Sequence, residues 1–79
     1  MTRQKIYDLI NAERDRQNEL HPENKHTPME WAAILSEECG EAVRELNRMQ
    51  DNEAGADINK VIAELIQTAA VCVRILEGV

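Results

Sequence analysis

Glu38 falls in the middle of the apolar face of a long predicted helix, with Ile34 and Leu35 one turn before it and Ala42 one turn after. A carboxylate in that position needs a compensating partner, because an unpaired charge taken into a low-dielectric core is either costly or neutralised by protonation. The neighbours sharpen the problem. Glu37 and Glu41 are one turn apart, Glu45 follows Glu41 by another turn, and Glu38 to Glu41 is an i,i+3 step, so like charges crowd one flank of the helix. Such crowding points to a bound cation, and oxygen donors are what the hard ion Mg²⁺ prefers. Glu64 is a carboxylate on a second, largely apolar helix, one turn before Thr68 and two before Val71. If the two helices run antiparallel, Glu38 and Glu41 face Glu64 and can share one metal.

The elements that must position these groups follow from helical periodicity and capping signals. Thr2 to about Asn18 places Ile6, Leu9, Ile10 and Ala12 or Glu13 near helical spacing, which predicts a modestly amphipathic first helix. Glu19 to His26 is polar and interrupted by Pro22, so it reads as a loop. Thr27-Pro28-Met29-Glu30 is a helix start: an N-cap, a proline at the first position and the glutamate of a capping box. Trp31, Ile34, Leu35, Ala42, Leu46 and Met49 then recur to about Gln50, a helix on the order of 33 Å long. Asp51 to Ala56 reads as a turn, and Asp57 as the N-cap of a third helix that runs to about Glu77 and ends at Gly78. That third helix carries Ile58, Val61, Ile62, Leu65, Ile66, Ala69, Cys72, Val73 and Leu76 on one broad face, extended by Thr68, Val71 and Ile75. The pattern predicts that almost all of this face is buried. The expectation is an all-α bundle built on a long antiparallel hairpin, with the N-terminal helix as cover.

At 79 residues the chain forms one domain over residues 1–79, of a size where a single core is marginal and self-association often adds stability. The absence of Phe, with one Trp and one Tyr, suits helix packing better than a sandwich of strands. Fifteen acidic against nine basic residues, a formal charge of -6, argue against a nucleic-acid or anionic-membrane surface. They leave open a phosphorylated small molecule arriving with a divalent metal. Cys39 and Cys72, without a signal sequence or a long apolar run, point to reduced thiols in a cytoplasmic protein. Both are expected as small packed hydrophobes, since neither has zinc-site spacing to His21 or His26.

Glu37-Glu38-Cys39-Gly40-Glu41 followed by Glu64-Leu65-Ile66-Gln67, within the context Ile-Leu-Ser-Glu-Glu-Cys-Gly-Glu-Ala, resembles the all-α nucleoside triphosphate pyrophosphohydrolases, and among them small MazG-like members of phage type. The similarity spans the second and third helices, about two-thirds of the chain. Carried over by position, the resemblance implies Mg²⁺ ligands at Glu38, Glu41, Glu64 and Gln67, with Mn²⁺ as a substitute ion. It places Glu37 beside them, where it orients or activates water, and makes Glu37 or Glu41 the base. Gln67 stands where the family has Asp and offers an amide oxygen without charge, so metal affinity is expected to fall unless a neighbour such as Glu45 or a second subunit compensates. Members of the family complete their bundle with a fourth helix. Here an adjoining subunit of a homodimer or homotetramer is expected to supply that packing.

The reaction that the resemblance implies is hydrolysis of a nucleoside triphosphate to the monophosphate and pyrophosphate. Lys60 and Arg74 are candidate phosphate contacts, against solvated surface as the plainer reading. Trp31 is a candidate base-stacking residue, against core or interface. Arg44 and Arg48 each follow a glutamate by three residues, so part of the acidic cluster also fits ordinary intrahelical pairing, whereas Glu38 has no basic residue at those offsets. A catalytically weak or inactive nucleotide-binding protein, or a helical interaction protein of the same fold, is the alternative that Gln67 keeps in view.

Overall fold

A computed structural model describes all 79 residues, which form three helices and the turns and ends that join and flank them: α1 (Arg3–Leu20), α2 (Pro28–Gln50) and α3 (Ile58–Glu77). Each begins on a side-chain cap. Thr2 accepts from the Lys5 amide at 3.1 Å, and Asp57 accepts from the Asn59 amide at 2.9 Å. At the head of α2 both halves of the capping box form: Thr27 Oγ1 accepts from the Glu30 amide at 3.2 Å, and the Glu30 carboxylate accepts from the Thr27 amide at 2.8 Å. Two orphan amides are thereby satisfied just after the polar connection, so α2 starts where the sequence signal places it.

The link between α2 and α3 turns on two residues with positive φ, Asn52 at 54° and Gly55 at 84°. Glycine is required at the second of these. Its φ lies in the left-handed region, and a Cβ there would stand 2.9 Å from Arg48 Nη2. Arg48 and Lys60 close the turn by donating to the carbonyls of Ala54 and Gly55, at 3.1 and 3.2 Å.

α3 is the central element. Both α1 and α2 pack on it, and they make no comparable approach to one another, which leaves a cleft between them. Two buried arginines hold the layers in place. Arg14 of α1 donates through Nε and Nη2 to the Glu77 carboxylate at 2.7 and 3.2 Å, and through Nη1 to Gln17. Arg74 of α3 ties down the α1–α2 connection, donating to the carbonyls of His21 and Glu23 at 2.6 and 3.0 Å and to the Asn24 side chain at 2.7 Å.

The core is small: Ala42, Val61, Ala70 and Val71 are its buried apolar residues, and no large side chain is fully enclosed. This overturns the expectation for α3. Ile58, Leu65, Cys72, Val73 and Leu76 are exposed, as are Leu46 and Met49 at the end of the α2 stripe. The physical reason is that α1 and α2 both lie on the side of α3 bearing Ala70, Val71 and Arg74, so the broader apolar side has no partner within the chain. Cys39 and Cys72 are likewise exposed free thiols rather than packed hydrophobes, Cys72 lying in the uncovered strip.

Candidate metal centre and its cleft

Where α2 crosses α3, Thr68 Oγ1 lies 2.8 Å from the Glu64 carbonyl and 3.3 Å from the Glu38 carbonyl, fixing the two helices against each other at the acidic residues. Glu38, Glu41 and Glu64 each present a carboxylate oxygen, and the three oxygens lie within 4.8 Å of one another. The expected convergence of these three residues is therefore present. All three are half-buried. One oxygen of Glu38 and one of Glu64 are sealed from solvent with no hydrogen-bond partner, a costly state for a carboxylate and the state expected of a ligand oxygen.

The electrostatics agree. Burial pushes the Glu38 carboxyl above its usual range, the charges of Glu41, Glu37 and Glu13 add to the rise, and Arg16 opposes it. The Glu64 carboxyl is raised by burial, by a shared hydrogen bond with Glu41, and by the charges of Glu41, Glu38 and Glu45. A divalent ion set among the three carboxylates would relieve the repulsion between them. The donor set is oxygen-only, which fits Mg²⁺ or Mn²⁺ and gives no foothold to softer metals.

Glu38 also faces the cleft, which encloses about 610 Å³, within the range of small-molecule sites. α1 contributes Glu13, Arg16 and Gln17 to one wall, α2 contributes Trp31, Ile34 and Glu38 to the other, α3 floors it with Gln67, Val71 and Arg74, and the loop from His21 to His26 closes one end. Trp31 meets His26 edge to face, with ring centroids 4.6 Å apart, and the Arg74 guanidinium sits 5.7 Å from the Trp31 ring centre.

Of the residues singled out from the sequence, Glu38, Gln67, Trp31 and Arg74 line the cleft, and Glu41 and Glu64 join Glu38 in the acidic cluster. Glu37 is exposed and outside the cluster, acting on Glu38 through its charge. Lys60 is absent from the cleft wall and donates to the Gly55 carbonyl. Arg74 reaches the cleft, but its Nε and Nη2 are engaged by the loop. Sequence reasoning missed Arg16, which stands at the cleft wall paired with Glu13 at 2.7 Å. It also left Glu45 outside the site set, although Glu45 repeats Glu38 two helical turns later on the same face.

No family model matches the sequence, and no curated protein and no solved structure matches it.

Proposed function

We propose that the chain is a Mg²⁺-dependent nucleoside triphosphate pyrophosphohydrolase of the MazG-like kind, converting a nucleoside triphosphate and water to the monophosphate and pyrophosphate. The observation that carries this reading is the convergence of Glu38, Glu41 and Glu64 within 4.8 Å, with orphaned oxygens, at the edge of a nucleotide-sized cleft. Glu38, Glu41 and Glu64 hold the ion, and Gln67, which lines the cleft beside Glu38, adds its amide oxygen on the substrate side. Bound there, Mg²⁺ would neutralise the triphosphate oxygens and lower the pKa of a coordinated water.

Trp31 offers its ring face to the base. Arg16 takes the phosphate role expected of Lys60 and Arg74, because its side chain is itself exposed at the cleft wall and its only partner is the intrahelical Glu13, whereas theirs are backbone carbonyls and the loop. In hydrolysis the water oxygen forms a bond to the α-phosphorus and the bond to the β-phosphate oxygen breaks. Glu41 accepts the water proton, since it lies within the cluster and exposed Glu37 does not.

α2 and α3 are read as the antiparallel hairpin of such bundles. The pairings of Glu38 with Thr68 and of Glu41 with Glu64 run in opposite senses along the two helices and support that reading. The uncovered strip of α3 is read as the seam of a homodimer or of a homotetramer built from such dimers. Gln67 favours a second reading, a nucleotide-binding protein with weak or no turnover.

Pyrophosphate release from a panel of nucleoside triphosphates, with Mg²⁺ or Mn²⁺ and with EDTA as control, tests the proposal. Metal-dependent release that disappears in Glu38→Gln is the expected result. Nucleotide-induced stabilisation without product would transfer the site to the binding reading, and neither response would remove both.

A further inference from the structure

Gln17 of α1 lines the cleft although only 8% of its surface is exposed. Its side-chain amide is locked in one orientation. Arg14, also buried, donates through Nη1 to Gln17 Oε1 at 3.1 Å. A guanidinium has donors and no acceptor, so the amide oxygen must face it and the amide nitrogen must face away. Arg14 is held in turn: Nε and Nη2 donate to the Glu77 carboxylate at 2.7 and 3.2 Å, and Nη2 donates to Asn18 Oδ1 at 3.1 Å. Turning the amide over would set donor against donor and leave a buried guanidinium hydrogen unpaired. No acceptor of the chain meets Gln17 Nε2, and that nitrogen is not sealed from solvent. Its hydrogens are therefore offered to the cleft.

The order of residues along the three helices places this donor within the cleft. α1 runs from Glu13 and Arg16 toward Leu20 and the loop, α2 runs from Trp31 away from the loop to Glu38, and α3 runs from Gln67 to Arg74, which binds the loop. Glu13, Arg16, Glu38 and Gln67 thus mark the acidic end, where the charges of Glu13 and Arg16 both act on Glu38. Leu20, Trp31 and Arg74 mark the loop end, and Gln17 lies between, at the level of Ile34 and Val71. A nucleotide with its phosphates at the acidic end must pass Gln17 with its nucleoside part. A ribose hydroxyl does not account for the lock, since a hydroxyl both donates and accepts and would suit either orientation of the amide. Fixing the polarity matters only toward a group of fixed polarity, and the apolar flanks of Ile34 and Val71 suit the edge of a ring.

We propose that Gln17 is a specificity-determining residue that donates an Nε2 hydrogen to a ring carbonyl of the base, so that the cleft takes keto nucleotides in preference to amino ones. The carbonyls are O4 of uracil or thymine and O6 of guanine, where cytosine and adenine carry an amino group that would point its own hydrogens at the amide. The inference rests on the nucleotide reading of the cleft given above and adds the substrate class to it. Arg14 and Glu77 act through Gln17 and touch no substrate; they hold the polarity of its amide.

Calorimetric titration of the intact chain with the α,β-imido triphosphates of uridine, cytidine, guanosine and adenosine in Mg²⁺, in ribose and deoxyribose forms, reads the preference without turnover. Within each pair that binds, the wild type is expected to take uridine over cytidine, and guanosine over adenosine, by about tenfold or more. Gln17→Glu keeps the Arg14 contact and offers an oxygen to the cleft in place of the hydrogens, so the order is expected to reverse. Gln17→Met keeps the length and offers neither, so the preference is expected to vanish; it carries the test if circular dichroism shows Gln17→Glu to have lost its helices. Equal binding of keto and amino analogues by the wild type overturns the inference, and so does the absence of any binding. A wild-type order that persists in either folded variant also overturns it, and would leave Gln17 as a tie between α1 and α3 alone. The two readings fail separately. Keto preference without pyrophosphate release from the natural triphosphates defeats the enzyme and leaves Gln17 its role; release that does not distinguish the bases does the reverse.

Discussion

Glu38 is a carboxylate whose ionisation works against the fold when no metal is present, and this has a defined pH signature. Its folded-state pKa is raised by burial and by Glu41 and Glu37, so the folded chain retains a proton that the unfolded chain loses. Stability from this group is thus full below the ordinary carboxylate range and is lost as pH rises through the raised folded value. Glu30 and Glu77 behave oppositely, held low by the Thr27 hydrogen bonds and by Arg14, so the total stability curve mixes both signs. The difference between Glu38→Gln and the wild type isolates the effect. In EDTA, Glu38→Gln is expected to be more stable at neutral pH, by about 1 kcal/mol, and the gap should close as pH falls below the carboxylate range. Mg²⁺ at a hundredfold excess over its Kd should then stabilise the wild type by about 2.7 kcal/mol and the variant by less. Denaturant melts across pH with EDTA or Mg²⁺ read both, and a gap independent of pH and metal would show Glu38 to be an ordinary core polar group. The half-buried placement of this residue was legible because a charge interrupts an apolar stripe. Arg16 was not, because a basic residue on a polar helix face looks like solvated surface until packing shows otherwise; Glu45 was readable as a nearby charge able to compensate for Gln67, but its burial was not, because a glutamate followed by arginine at i+3 also looks solvated.

At the level of elements, the boundaries of α2 and α3 were readable from their caps, since Thr27, Glu30 and Asp57 act through local hydrogen bonds that need no tertiary context. Thr27→Ala is expected to cost about 1 kcal/mol in a denaturant melt for the same reason. What local signals could not convey is which side of α3 its neighbours choose. Periodicity marks an apolar face without saying whether it meets another helix of the same chain or another molecule. Arg74 decides part of that arrangement. Lying on the side of α3 opposite the open strip, it collects the His21 and Glu23 carbonyls and Asn24, and so draws the α1–α2 connection over the end of the cleft. Arg74→Ala leaves these acceptors unsupported and is expected to destabilise the fold by about 2–3 kcal/mol. Beyond stability, the loop should loosen: amide exchange at residues 21–26 should accelerate more than at the α2–α3 crossing. Equal acceleration at both places would mean that Arg74 supports the whole bundle rather than this connection.

The whole molecule carries more surface than its mass requires. Its accessible area is 5784 Å², whereas a compact monomer of 9.0 kDa exposes about 4,900 Å² on the usual scaling. Its radius of gyration of 13.6 Å likewise exceeds the roughly 11.6 Å expected for this length. The excess of about 900 Å² is close to what one partner contributes to a standard protein interface, about 800 Å². The strip that bears it has its own regularity. Ile58, Ile62, Leu65, Ala69, Cys72 and Leu76 follow one another at alternating steps of four and three, the spacing of a helical seam. Ile58, Leu65 and Leu76 remain 53%, 45% and 69% exposed. A second copy of α3 is the simplest complement, because a two-fold axis brings the same strip against itself and encloses the residues that the single chain leaves wet. The chain is therefore expected to sediment as a dimer or tetramer at micromolar concentration, with a melting temperature that rises with protein concentration. Leu65→Glu, near the middle of the seam and away from the carboxylate cluster on the helix surface, should shift it to monomer and lower its stability, while Val43→Glu, outside the strip, should do neither. If Leu65→Glu leaves the sedimentation coefficient unchanged, the strip is not where copies meet, and the surplus surface belongs to a different partner.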